Sequence, residues 1–170
     1  HTTGSGSGFL LEHDGKLWVA TNRHVVAGTD ENGLELIFML GDPSSPTRST
    51  VPISRKAAMG AVYKQSDLAI IEIPDLHWFK DLISKKQIIP VKLSPLKLRS
   101  LDLPPLERQP KALDKIWTVG HPGKHLPLTA TDGAITGIKD NYSLMDDKLG
   151  KVIQIDVEIT HGSSGGPVFD

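Results

Sequence analysis

Cysteine is absent from the 170-residue chain, and with it go disulfide staples, a thiolate nucleophile and cysteine-based zinc sites. Secretion stays open, because a domain of this length can stand on its core alone. Aromatic residues are sparse, at 5%, so Trp18, Trp78 and Trp117 read most simply as core or surface-anchor residues. No apolar run approaches the length needed to cross a bilayer, and no signal peptide opens the chain. The chain begins at His1 rather than Met, so its first residues are expected not to be the native start. No basic block is present either. A formal net charge of −1 leaves no electrostatic footprint for nucleic acid or anionic membrane. What the chain does contain is core material: 38% hydrophobic against 23% charged residues, the balance of a folded chain.

The texture along the chain is all-β. Short apolar-rich runs at 6–12 and 16–22 are joined by His13-Asp14-Gly15, and Asp-Gly is a strong hairpin signal. Strand-like runs follow at 34–40, 57–63 and 68–73, with turn residues such as Gly41-Asp42-Pro43 between them. Regular short strands punctuated by Pro and Gly point to a barrel or sandwich. Residues 75–86 form the best helical stretch, with Leu76, Phe79 and Leu82 at helical spacing, and are expected to be a short decoration. Between 93 and 113, Pro95, Pro104, Pro105 and Pro110 interrupt leucines and charges, the texture of an extended connector between two packed halves. Strands resume at 115–120, 129–138 and 152–157.

The strongest chemical signal is His161-Gly162-Ser163-Ser164-Gly165-Gly166-Pro167. A serine hydroxyl is a poor nucleophile until a base removes its proton, and the resulting tetrahedral oxyanion needs donors. Glycines around the serine let the backbone turn sharply and aim the N–H groups of Gly162 and Ser164 at that oxyanion. Taken alone, the motif is equally an ordinary Ser/Gly loop. Two further segments change the balance. Thr21-Asn22-Arg23-His24-Val25-Val26 places a histidine just after a strand, before apolar residues able to bury the turn. Ser66-Asp67-Leu68-Ala69-Ile70-Ile71 places an aspartate at the start of a buried strand, where a carboxylate needs a partner. An imidazole N–H suits it and fixes the tautomer that base catalysis requires. Each residue alone reads as a core histidine or a turn cap; the three segments in this order do not.

These segments resemble the chymotrypsin-fold serine proteases, most closely the bacterial-type Deg/HtrA branch. Gly6-Ser7-Gly8-Phe9-Leu10 is similar to that family's opening strand. Val119-Gly120-His121-Pro122 with Thr131-Asp132-Gly133-Ala134-Ile135 is similar to its entry to a second barrel. The resemblance implies two antiparallel β-barrels with the active site between them. The first would span residues 1–94 and carry His24 and Asp67; a connector would span 95–114. An incomplete second barrel at 115–170 would carry Ser164 and stop soon after it. His24 would be general base and then acid, Asp67 its orienter, Ser164 the nucleophile, and Gly162 and Ser164 the oxyanion donors. Ser163 stands where trypsin has an aspartate, which implies no activation switch through a new N-terminus.

Specificity stays open between two neighbours. Glu158, six residues before Ser164, matches the acid with which trypsin selects Lys or Arg; the Deg/HtrA resemblance points instead to Ile159 and small aliphatic side chains. His161 is a rim or subsite candidate. The G-x-S-x-G pattern at 162–166 fails as a hydrolase elbow, because nothing suitable follows Ser164. His121 and His125, four apart in a Gly/Pro loop, read as loop histidines rather than a zinc site, and Gly4–Gly8 lacks the helix that phosphate binding needs. No metal or organic cofactor is expected. The implied partner is a polypeptide substrate, with no nucleic acid and no membrane insertion. Further domains or a homo-oligomer are open for the parent protein, and a periplasmic or extracellular bacterial setting follows only from the resemblance. A peptide-binding module without catalysis and an esterase are the competing functions.

Overall fold

The structure is a computed structural model that describes residues 5–13, 15–27, 34–40, 47–53, 59–63, 66–73, 77–85, 91–92, 110–121, 129–144 and 147–169. Strands dominate these residues, as the sequence texture predicts, and two short helices accompany them. β1 (Phe9–His13) and β2 (Lys16–Asn22) form the hairpin around Asp14-Gly15, with Phe9 opposite Ala20 and His13 opposite Lys16. β2 leads directly into α1 (Arg23–Ala27). β3 (Leu34–Leu40) and β4 (Thr47–Ile53) make a separate hairpin. The sequence reading missed β4, whose Pro52 argues against a strand. Proline lacks a ladder donor and is tolerated at an edge, and among the described residues β4 pairs only with β3.

β5 (Met59–Tyr63), β6 (Leu68–Glu72) and the two-residue β7 (Val91–Lys92) complete a five-stranded sheet of order β5-β6-β2-β1-β7. Its core gathers Leu10, Val19, Val26, Ala69, Ile71, Ile73 and Phe79. The period of two is visible in β3, where Leu34, Leu36 and Phe38 pack on that core and Glu35 and Ile37 are exposed. α2 (His77–Ser84) corrects one expectation. It is no decoration, because Phe79 is buried in the core and meets Phe38 edge-on, ring centroids 4.8 Å apart at 60°. Leu82 and Ile83, three and four residues on, pack on the same core, so a single helical stripe closes it. Leu76 lies outside the described residues.

The second sheet is assembled from β8 (Lys115–Gly120), β9 (Thr129–Lys139), β12 (Val152–Asp156) and β13 (Val168–Phe169) in the order β12-β9-β8-β13. β10 (Ser143–Leu144) and β11 (Asp147–Lys148) pair as a small hairpin within the β9–β12 connection. Gln154 faces Gly137 but Ile155 faces Ile135, so Thr136 is bulged out of the ladder. A bulge bends its strand pair and re-aims side chains; here Ile155 reaches the cavity described below. The end of the expected connector docks on this sheet, with Leu113 N–H donating to the Ile135 carbonyl at 2.8 Å and Ile135 N–H to the Asp114 carbonyl at 2.9 Å. Most of the connector lies outside the described residues. Among the described residues neither sheet closes on itself, and no helix is long and apolar enough to cross a membrane.

Candidate active site

Asp67 sits at the start of β6, 6% exposed, with a φ of 49°. Aspartate is among the few residues that accept this left-handed conformation, because its short side chain can bond locally. Here it bonds across to the corner where β2 becomes α1. Its carbonyl accepts from Arg23 N–H at 2.8 Å and from the Asn22 side-chain amide at 3.0 Å. One carboxylate oxygen accepts from the backbone N–H of His24 at 2.9 Å, and the other meets His24 Nδ1 at 2.6 Å. A carboxylate only accepts, so this short contact places the proton on Nδ1 and leaves Nε2 with its lone pair. The ring is therefore oriented with Nε2 facing away from Asp67, a residue that Arg23 N–H, the Asn22 side-chain amide and His24 N–H hold at three further points. Asn22 was given no role from sequence; a polar side chain beside the histidine at a strand end is the signal that could have marked it.

The serine segment turns twice through left-handed glycines. Ser163 N–H donates to the Thr160 carbonyl at 3.1 Å, closing a four-residue turn whose third residue, Gly162, has a φ of 102°. A positive φ at that position is the mark of a type II turn. Gly165 has a φ of 92°, and a Cβ there would collide with the Ser7 carbonyl and the Thr21 hydroxyl. The segment thus lies backbone-to-backbone against the strand that delivers His24. Among the described residues neither Gly162 N–H nor Ser164 N–H is consumed by a backbone bond. Ser164 is exposed, and its hydroxyl makes no hydrogen bond to His24 in this structure. His24 and Asp67 are brought into direct contact, whereas Ser164 is tied by its carbonyl to Ser7 N–H, and its neighbour Gly165 packs on Ser7, Thr21 and Asn22.

Ser164 and Asn22 line a cavity of about 450 Å³ together with Glu158, Ile159, Thr118 and Thr131. The two threonine hydroxyls bond each other at 2.8 Å. Glu158 and Ile159 are both exposed, so both specificity candidates front the same space. His161 is exposed and stands outside that lining. Among the described residues no group of three His, Asp or Glu side chains is placed to hold a metal ion; His125 lies outside them. Ser7, read from sequence only as part of an opening strand, is buried against the serine segment.

Comparison with known proteins follows the same lines. The profile described as trypsin-like peptidase domain matches residues 6–170. A protein of Pseudomonas fluorescens named probable periplasmic serine endoprotease DegP-like is 32% identical over 166 residues, covering 97% of this chain and 26% of that protein. Serine protease Do-like HtrA of Bacillus subtilis is 29% identical over 174 residues, covering 99% and 31% respectively. Among solved structures, Deg5 matches with a TM-score of 0.62 at 24% identity, over 98% of this chain and 69% of that one. The active form of the Rv3671c protease from M. tuberculosis matches with a TM-score of 0.58 at 22% identity, over 97% and 57%. At these identities the solved structures speak to the fold alone. The chain spans roughly a quarter to a third of the curated relatives' length.

Proposed function

The chain belongs to the trypsin-like peptidase domain family, in its Deg/HtrA-like branch, and on that premise we propose that it is a serine endopeptidase acting through an acyl-enzyme intermediate, with His24, Asp67 and Ser164 as triad. His24 Nε2 takes the proton of Ser164 Oγ as that oxygen attacks the scissile carbonyl carbon. The new oxyanion is received by the N–H groups of Gly162 and Ser164. Collapse breaks the C–N bond, and His24 returns the proton to the leaving amine. Water, deprotonated by His24, then attacks the acyl-Ser164 ester; the acyl C–Oγ bond breaks, His24 returns the proton to Ser164 Oγ, and the acid product leaves. Asp67 holds the imidazole in the required tautomer and stabilises it when charged.

The observation that carries this reading is the 2.6 Å contact between Asp67 and His24 Nδ1, made by a buried carboxylate that already caps the histidine's own backbone N–H. The missing Ser164–His24 hydrogen bond is compatible with it, since such bonds are often long before substrate binds. The same proposal takes the two open sheets as parts of two barrels, within residues 1–94 and 115–170, joined through 95–114. It takes a polypeptide as substrate. Glu158 and Ile159 supply its alternative side-chain preferences, basic or small aliphatic, and His161 a rim contact.

Fluorophosphonate labelling of the full-length protein, mapped by mass spectrometry beside His24→Ala and Ser164→Ala, tests the reading. Label on Ser164 that vanishes in both variants is expected. Absence of label in the unsubstituted protein would favour a peptide-binding module on the same fold.

A further inference from the structure

Ser7 lies in the irregular segment ahead of β1 and is 6% exposed, yet every polar group it owns is engaged. Its N–H donates to the Ser164 carbonyl at 2.7 Å, and its hydroxyl donates to the Gly162 carbonyl at 2.8 Å. The same hydroxyl oxygen accepts from His121 N–H at 2.9 Å, and its carbonyl accepts from the Thr21 hydroxyl at 2.7 Å. One residue therefore ties together β2, the end of β8 and the serine segment. Two of the four bonds fall on Gly162 and Ser164, the residues whose amides are the oxyanion donors in the reading above.

We propose that Ser7 is a positioning residue that presets both oxyanion amides by pinning the peptide planes next to them. A peptide unit is rigid, so a fixed carbonyl also fixes the N–H that follows it. The plane joining 162 to 163 is held at both ends, its carbonyl by the Ser7 hydroxyl and its N–H by the Thr160 carbonyl. The plane joining 164 to 165 is held by Ser7 N–H. The plane between them carries the Ser164 N–H; its own carbonyl accepts from Gly166 N–H at 3.0 Å, and it is bounded on each side by a plane bonded to Ser7. The plane carrying the Gly162 N–H sits inside the closed turn from Thr160 to Ser163, and the Ser7 hydroxyl braces that turn from behind. Donors held in place before the oxyanion forms need no reorganisation when it does. Thr21, one strand residue before Asn22, anchors Ser7 in turn, so the donors are set relative to the strand that delivers His24.

The proposal rests on the endopeptidase reading, and its test separates the two. Full-length protein and Ser7→Ala are compared on a fluorogenic peptide taken from a mapped casein cleavage site, with active sites counted by fluorophosphonate. The peptide aldehyde of the same sequence serves as inhibitor, because its hemiacetal oxygen occupies the oxyanion position. Misplaced donors are expected to lower kcat per counted site by about 10- to 100-fold. KM should stay within about two-fold while the aldehyde's Ki rises by the factor kcat loses. A merely structural role would lower the count of active sites and the unfolding midpoint and leave kcat per site unchanged, which overturns the proposal. Ser7→Cys keeps a weak donor at similar volume and carries the same measurement if the alanine variant does not fold; unchanged kcat per site there overturns it too. If the unsubstituted protein cleaves nothing, the endopeptidase reading falls and takes this one with it.

Discussion

Among the described residues the two sheets differ in burial. In the first, Leu10, Leu11, Val19, Ala20, Ala69, Ile71 and Ile73 are buried and are joined by Val26 of α1 and Phe79 of α2. In the second, Ile116 and Ile135 are the buried apolar side chains among the described residues, while Trp117, Ile138, Ile153, Val168 and Phe169 are exposed. Two of the exposed sets are cross-strand partners, Ile138 with Ile153 and Trp117 with Phe169. His24 and Asp67 thus stand on a packed scaffold, and the serine segment stands on a thin one. The serine segment is tied to the first sheet through Ser7, Thr21 and the close approach of Gly165, and to its own sheet through Val119 N–H on the Pro167 carbonyl and the β8–β13 pairing.

The largest expected effect lies on the packed side. Asp67→Asn suits the left-handed backbone at 67, since asparagine accepts a positive φ as readily as aspartate. Its side-chain amide would donate to Nδ1 and so fix the wrong tautomer. A loss of about 10^4 in kcat is expected, measured on the same casein-derived peptide with circular dichroism showing the fold intact. A loss below about ten-fold would mean that the pairing with Asp67 does not make His24 a base.

Core truncations sharpen the contrast between halves. Phe79→Ala removes a fully buried ring and its edge contact with Phe38, and should cost about 3–5 kcal/mol in denaturant unfolding. Ile135→Ala empties a site on a sheet where, among the described residues, Ile116 is the other buried apolar side chain and neighbours can relax into the space; a loss near the lower end of the range, about 2 kcal/mol, is expected. Equal losses would erase the distinction between the sheets.

Which features are legible in the sequence follows from the range over which each is determined. β1, β2, β3 and β6 are readable because their alternation and turn residues are local. Asp67's need for a partner is readable because a carboxylate beside Leu68-Ala69-Ile70-Ile71 has to be compensated. β4 was hidden by Pro52, whose tolerance depends on which edge it occupies, a tertiary fact. The place of α2 in the core was hidden because helical spacing tells which residues share a face and not what the face meets. Ser7 was least readable. Its hydroxyl partners lie 155 and 114 residues away, and nothing in Gly6-Ser7-Gly8 distinguishes a structural serine from a turn serine.

The smallest expected effect tests the thin side directly. Trp117 is 53% exposed and faces Phe169 across the β8–β13 ladder. If that face is open to water, Trp117→Ser loses only a half-solvated cross-strand pair, about 0.5 kcal/mol. The unfolding midpoint of the full-length protein should then barely move, and the part of the tryptophan emission that Trp117→Ser removes should be readily quenched by iodide. A loss above about 2 kcal/mol, with fluorescence shielded from the quencher, would mean that the indole is covered in the full-length protein. The serine segment would then rest on a second core, and Ser7 would be one of two supports for the proposed oxyanion donors.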